Sequence, residues 1–293
     1  MKKRVSILLW ILAFILTLAV GVYQRMTGPT HPVRGKELIE GKVITYKLWR
    51  SFIAFESLPV EITAEDRGIE AFLEYRRYKA DDPWTEVQMK RTKEGTVLKG
   101  EIPGQPAAGK VEYRVTVSLD KHQFPLNNGE NIVARFKGQV PKVILAIHVL
   151  LMFGGMLLVV RTGLEALRKE GNYYRLVNWT LAVIFIGGLI LGPIVQKYAF
   201  GHLWTGFPLG SDLTDNKTLV GVLFWVFAFF LKKKSKWWVL AAVILMLIVY
   251  LIPHSVMGSE LDYKSGKMKN VYSSRVMEEG GRPIMDIGRI RHR

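Results

Sequence analysis

Five long apolar runs interrupt this chain, and their spacing leaves few architectures open to it. They are Val5–Tyr23, Val143–Val160, Trp179–Val195, Thr218–Leu231 and Trp237–Ile252. Each approaches the length a helix needs to cross the hydrocarbon core of a bilayer, roughly 17–25 residues, the fourth being short. More than a hundred residues separate the first run from the second, and the last four follow closely. The pattern predicts a membrane α-helical bundle of five transmembrane helices, with an all-β domain inserted between helices 1 and 2. The expected units are an N-terminal transmembrane anchor (1–24), an extracytoplasmic β-sandwich domain (28–141), a four-helix transmembrane bundle (142–256) and a basic flexible tail (257–293).

The chain carries 41 Lys and Arg against 25 Asp and Glu, a formal charge of +16. The placement of that charge argues against nucleic acid as a partner. Lys2, Lys3 and Arg4 precede the first run. Arg161, Arg168, Lys169 and Arg175 lie between the second and third, and Lys232, Lys233, Lys234 and Lys236 between the fourth and fifth. Short loops rich in Lys and Arg stay on the cytoplasmic side of a bilayer. The expected protein is multi-pass in the plasma (inner) membrane, with a cytoplasmic N-terminus and residues 24–141 extracytoplasmic. The same rule puts 161–178 and 232–236 inside, and 196–217 and the tail outside. The tail resists, since 264–293 holds eight Lys or Arg against three acids, but long segments weigh less than short loops. The chain has no cysteine, which removes disulfides and thiolate metal sites and fits a bacterial envelope. The first apolar run exceeds the 7–15 residues of a signal-peptide core, so an uncleaved anchor is expected.

Between the first two runs the apolar period becomes two. Val111, Tyr113, Val115, Val117 and Leu119 alternate with polar residues, as a strand with one buried face does. Ile69, Ala71, Leu73 and Tyr75 repeat the pattern, as do Val87 with Met89, Ile132 with Ala134 and Phe136, and Ile44 with Tyr46 and Leu48. Turn residues at Asp81-Asp82-Pro83, Glu94-Gly95, Pro103-Gly104 and Asn127-Asn128-Gly129 separate them. About seven short strands with regular turns predict two packed antiparallel sheets. The stretch Gly100–Val117, a Gly/Pro-rich turn leading to a strand with Tyr113 before alternating valines, resembles the late strands of fibronectin type III and immunoglobulin-like modules. That resemblance implies a sandwich fold and a binding or spacing role, and it carries no active-site residues. Trp84, Tyr78 and His122 are candidates for surface recognition. The simpler expectation is that Trp84 caps one end of the core and that His122 is a solvated loop residue.

In the bundle, Gly188 and Gly192 form a G-x-x-x-G step and Gly154-Gly155 is a second close-packing signal. Pro193 predicts a kink. Ionisable residues within spans are costly and mark candidate sites. His148 lies inside the second span, His254 ends the fifth, and His202 falls in the outer loop with Asp212 and Asp215. His148 and His254 are the candidate cofactor ligands, for haem b. His202, Asp212 and Asp215 are the candidate ligands of a divalent metal. Against both stands plain packing, because no pair has i, i+4 spacing and no haem-attachment or zinc-protease motif is present. Asp215 is expected to cap the fourth helix, loop 196–217 to form an outer cap, and Arg161–Lys169 to form a short inner helix with Glu165 facing Lys169. Ser211 and Ser255 have no convincing base. The function expected is non-enzymatic: an integral membrane component displaying its sandwich to bind or position an envelope protein, through that domain or the basic tail. The rivals are a haem-bearing redox subunit and a metal-dependent membrane enzyme.

Overall fold

Alternating residues between positions 33 and 137 become eleven strands. They are β1 Val33–Ile39, β2 Lys42–Leu48, β3 Ser51–Ile53, β4 Leu58–Ala64, β5 Glu70–Arg77, β6 Thr85–Gln88, β7 Lys90–Arg91, β8 Val97–Ile102, β9 Lys110–Leu119, β10 His122–Pro125 and β11 Ile132–Lys137. The structure, a computed structural model, describes residues 2–253 and 258–269. One sheet has the order β1-β2-β4-β8-β7, the other β3-β11-β9-β5-β6 with β10 added to β9. Neighbours are antiparallel except β3, which runs parallel to β11. Ile44, Leu58, Ile62 and Ile102 from the first sheet share one core with Leu73, Tyr113, Val115, Val117 and Phe136 from the second. Every inward residue named from the alternation of β9 is buried in that core. Tyr113 donates its hydroxyl to the Trp49 carbonyl at 2.8 Å, which satisfies the one polar atom it brings inside.

Strand β4 was hidden by Pro59, which normally argues against an inner strand. It is tolerated because β2 pairs only with Ile62–Ala64, so Pro59 lies beyond the end of that ladder. Trp84 does not cap the core. It lies on the outer face of the second sheet, its ring 4.6 Å from the Arg76 guanidinium and 4.8 Å from that of Arg114. Each arginine is held by a carboxylate directly across the β5–β9 ladder, Arg76 by Glu112 at 2.6 Å and Arg114 by Glu74 at 2.7 Å. Trp49 packs against the core instead.

Five helices follow the apolar runs: α1 Lys2–Thr27, α2 Lys142–Leu167, α3 Tyr174–Phe200, α4 Leu213–Leu231 and α5 Lys236–Leu251. The first four are long and apolar enough to cross a membrane, and α5 is shorter, at 16 residues. Helix α4 starts five residues before its apolar run because Asp212, not Asp215, is its cap, accepting the Thr214 N–H at 2.8 Å. Helix α2 continues unbroken to Leu167, so no separate inner helix forms. Glu165 is buried there and pairs with Arg161 at 2.7 Å and Arg168 at 2.8 Å rather than with Lys169. The middle of α3, Phe185–Leu191, is π-helical, and the Gly192 N–H reaches back five residues to the Gly187 carbonyl. Glycines let these helices touch: a Cβ on Gly155 would sit 2.8 Å from Ile184, and one on Gly188 2.7 Å from Thr218.

The two halves are joined at several points. The Gly138 N–H donates to the Ala199 carbonyl at 2.8 Å, tying the end of the β region to the end of α3. Past α5, residues 258–269 form a small hairpin bridged at Leu261 and Met268. It lies on the β region: the Leu261 N–H donates to the Ala108 carbonyl at 3.1 Å, the Tyr263 hydroxyl to the Lys110 carbonyl at 2.9 Å, and Lys110 pairs with Glu260. The tail expected to be flexible therefore has an ordered beginning. Its remainder, from 270, lies outside the described residues.

Candidate functional site

The junction of the two halves encloses a cavity of about 700 Å³, lined by β11 and the 138–141 linker, by α2, α3 and the start of α4, and by Gly258 and Ser259. Strand alternation sends Ala134 and Phe136 into the β core and so turns Arg135 toward the bundle. Arg135 is buried, with its guanidinium 5.7 Å from the Phe200 ring and an N–H donated to the Gly258 carbonyl at 3.4 Å. Burial pulls its pKa down, opposed by the charges of Asp212 and Glu260. Lys137 and Lys142 line the same cavity.

The opposite wall is a closed polar network. Asp212 spends one oxygen on its helix cap and accepts from the Ser259 hydroxyl at 3.0 Å with the other. Asp215 reaches back across the loop and accepts from the Thr205 N–H at 2.7 Å and from Gln196 at 3.0 Å. This network folds the 201–212 loop over the end of the bundle. The loop opens at Gly201, whose φ of 86° ends α3 in the left-handed region that glycine favours. Its polar atoms satisfy one another, so its chemistry is that of positioning.

A second space of about 300 Å³ lies deeper, between α1, α2, α4 and α5. Both spaces share Leu145, His148, Met152, Val195 and Thr218. Apolar side chains, Val20, Val149, Phe153, Met156, Met246 and Val249 among them, line most of the deeper one. Lys217 reaches it but spends its ammonium on the Ile252 carbonyl at 2.8 Å, and Gln24 donates to the Tyr250 carbonyl.

His148 stands where the polar and apolar spaces meet, with Nδ1 3.0 Å from the Gly187 carbonyl. Its suggested haem partner, His254, lies outside the described residues. Asp212 and Asp215 line the upper cavity, whereas His202 is half-buried in the neighbouring loop and is not among the lining residues. Among the described residues no three His, Cys, Asp or Glu side chains gather as a metal site. In physical terms, both aspartates are turned onto neighbouring donors, Asp212 onto the Thr214 N–H and the Ser259 hydroxyl and Asp215 onto the Thr205 N–H and the Gln196 amide. No pattern along the chain points to Arg135, Lys137, Gln196, Thr205 or Ser259 as residues of this site. Arg135 sits at an outward strand position, and nothing local announces that a helical bundle covers that face. Compared with models of known protein families and with curated proteins, the chain matches none.

Proposed function

We propose that this chain is an integral membrane protein that binds a ligand or partner at the junction between an outer immunoglobulin-like module and its helical bundle, without catalysing a reaction. All five helices cross the membrane in this account. The N-terminus and the basic loops 161–178 and 232–236 are cytoplasmic, and residues 24–141 lie outside. Helix α5 is about 24 Å long at 1.5 Å per residue, and Trp237 and Trp238 at its start suit an interfacial position. The immunoglobulin-like assignment draws on strand order: β2, β4 and β8 face β11, β9 and β5, and β3 crosses to run parallel with β11.

The observation that carries this reading is the cavity built from both halves, with the 258–269 hairpin fastened to the β region above it. A module meant only for display needs a tether. One that is strapped down over the mouth of a bundle forms part of a site. The even number of crossings between the 201–212 loop and the hairpin also returns the chain to the β side, as the placement of basic residues requires.

The cysteine-free sequence makes orientation directly testable. Single cysteines replacing Lys121 and Lys267 are expected to react with a membrane-impermeant maleimide in intact cells. One replacing Lys234 should react only after permeabilisation. Labelling of the Lys234→Cys protein in intact cells would overturn the arrangement.

A further inference from the structure

The two joined spaces differ in chemistry. The upper one presents Arg135, Lys137 and Lys142, and the lower one is walled mainly by apolar side chains. We infer that together they hold one anionic phospholipid, its phosphate-bearing head among Arg135, Lys137 and Lys142 and its acyl chains in the cleft between α1, α2 and α4.

Four observations lead to this occupant. First, Arg135 is nine-tenths buried yet makes one long hydrogen bond, 3.4 Å, among the described residues, although a guanidinium carries five N–H donors. Second, the charges acting on Lys137 are both positive, Arg25 and Arg135, and no acid among the described residues pairs with it. Third, α2 begins at Lys142 behind Pro141, with no side-chain cap and no acid in its first turn. Its positive end thus adds to the cations rather than offsetting them. Fourth, the cleft is open along α2, where Leu145, Val149 and Phe153 are 41%, 41% and 46% exposed. Acyl chains leaving the cleft there would continue into bilayer.

The two carboxylates on the cavity wall, Asp212 and Asp215, offset part of this charge, but three cations face them, so the lining stays net positive. Asp212 and Asp215 already accept from Thr214, Ser259, Thr205 and Gln196. A free inorganic anion would satisfy the cations but leave the apolar cleft unused, and an uncharged lipid would do the reverse. The phospholipid uses both. This inference rests on the membrane placement proposed above.

The test uses the full chain purified in an uncharged detergent, with lipid binding read by native mass spectrometry. Dioleoyl phosphatidylglycerol is expected to bind with a stoichiometry of one and to outcompete dioleoyl phosphatidylcholine. The double variant Lys137→Gln/Lys142→Gln changes two exposed side chains and should fold normally. It should weaken phosphatidylglycerol binding about ten- to thirty-fold, as expected for two lysines near a lipid phosphate. Lys233→Gln/Lys234→Gln, at the opposite end of the bundle, should bind as the unmodified protein does. Displacement of the lipid by millimolar inorganic phosphate would mean that the cations serve a free anion. Equal binding of the two lipids, or an unchanged affinity in the Lys137/Lys142 variant, would mean that the head is not read there. Either result overturns the inference. Cysteine labelling reports orientation independently of these lysines, so a correctly oriented chain that fails the lipid test removes this inference alone.

Discussion

A carbonyl cannot donate, so the 3.0 Å contact between His148 Nδ1 and the Gly187 oxygen places a ring hydrogen on Nδ1. Gly187 is reachable because α3 is π-helical at that point, so its carbonyl is bonded five residues on, by Gly192, instead of four. Pro193 follows immediately and brings no N–H. The adjacent glycines of α2 give a sharper test of helix contact, because they face different surroundings. A Cβ on Gly154 meets nothing within 4 Å, whereas one on Gly155 would lie 2.8 Å from Ile184 Cγ2, in the core. Gly154→Ala should be neutral or stabilising, by up to about 1 kcal/mol of helix propensity. Gly155→Ala should destabilise by about 1–3 kcal/mol through overpacking. Thermal midpoints of the detergent-purified proteins decide the matter, and equal shifts would mean that α2 and α3 do not pack as described. In sequence the two glycines are indistinguishable neighbours, since a G-G pair states that something comes close without saying to which one. Trp84 misleads for a related reason. A large aromatic after proline suggests core, but two arginines held by cross-strand carboxylates give it a partner on the outer face.

At the scale of elements, the least legible piece is the 258–269 hairpin. It has no apolar period, because its attachment is made by backbone groups and by Glu260, which takes Lys110, Lys79 and Lys269 as partners. Burial alone would raise the Glu260 pKa, but the hydrogen bonds and charges of these lysines hold it below the usual carboxylate range. A depressed carboxyl contributes stability that is complete above its unfolded value, about 4.3, and is lost as pH falls through the lower folded value. Hydrogen exchange over 258–269, read as protection relative to the intrinsic rate at each pH, should therefore be strongly slowed at neutral pH and lose that protection below about pH 4. Glu260→Gln should accelerate it several-fold at neutral pH, and unchanged exchange in that variant would mean that the lysines do not fasten the hairpin. The helices themselves were readable from apolar runs, with errors at their ends. The Asp212 cap adds a polar turn to α4 that hydropathy cannot see, and the Arg161–Glu165–Arg168 pairing lets α2 continue through residues that look like a loop. Most strands were readable because one face of each is buried in a shared core.

At the scale of the molecule, sequence patterning separates a β region from apolar helices but does not say how they sit together. That relation depends on contacts between residues far apart in the chain, such as Gly138 with Ala199 and Lys110 with Glu260. The polar half of the candidate site depends on it too, since Arg135 and Lys137 come from the β region while His148, Gln196 and Asp215 come from the helices. The apolar cleft belongs to the bundle, but the runs announce only its helices and not the space between them. A site built from both halves requires the β region to be held in one position over the bundle. Cysteines replacing Leu38 in β1 and Phe207 in the loop before α4, both well exposed at 71% and 67%, can carry spin labels in a chain with no other cysteine. Pulsed electron paramagnetic resonance on the protein in lipid nanodiscs should give a single narrow distance distribution. A broad distribution spanning tens of ångströms would show a tethered module swinging free of the bundle, and would contradict a site built from both.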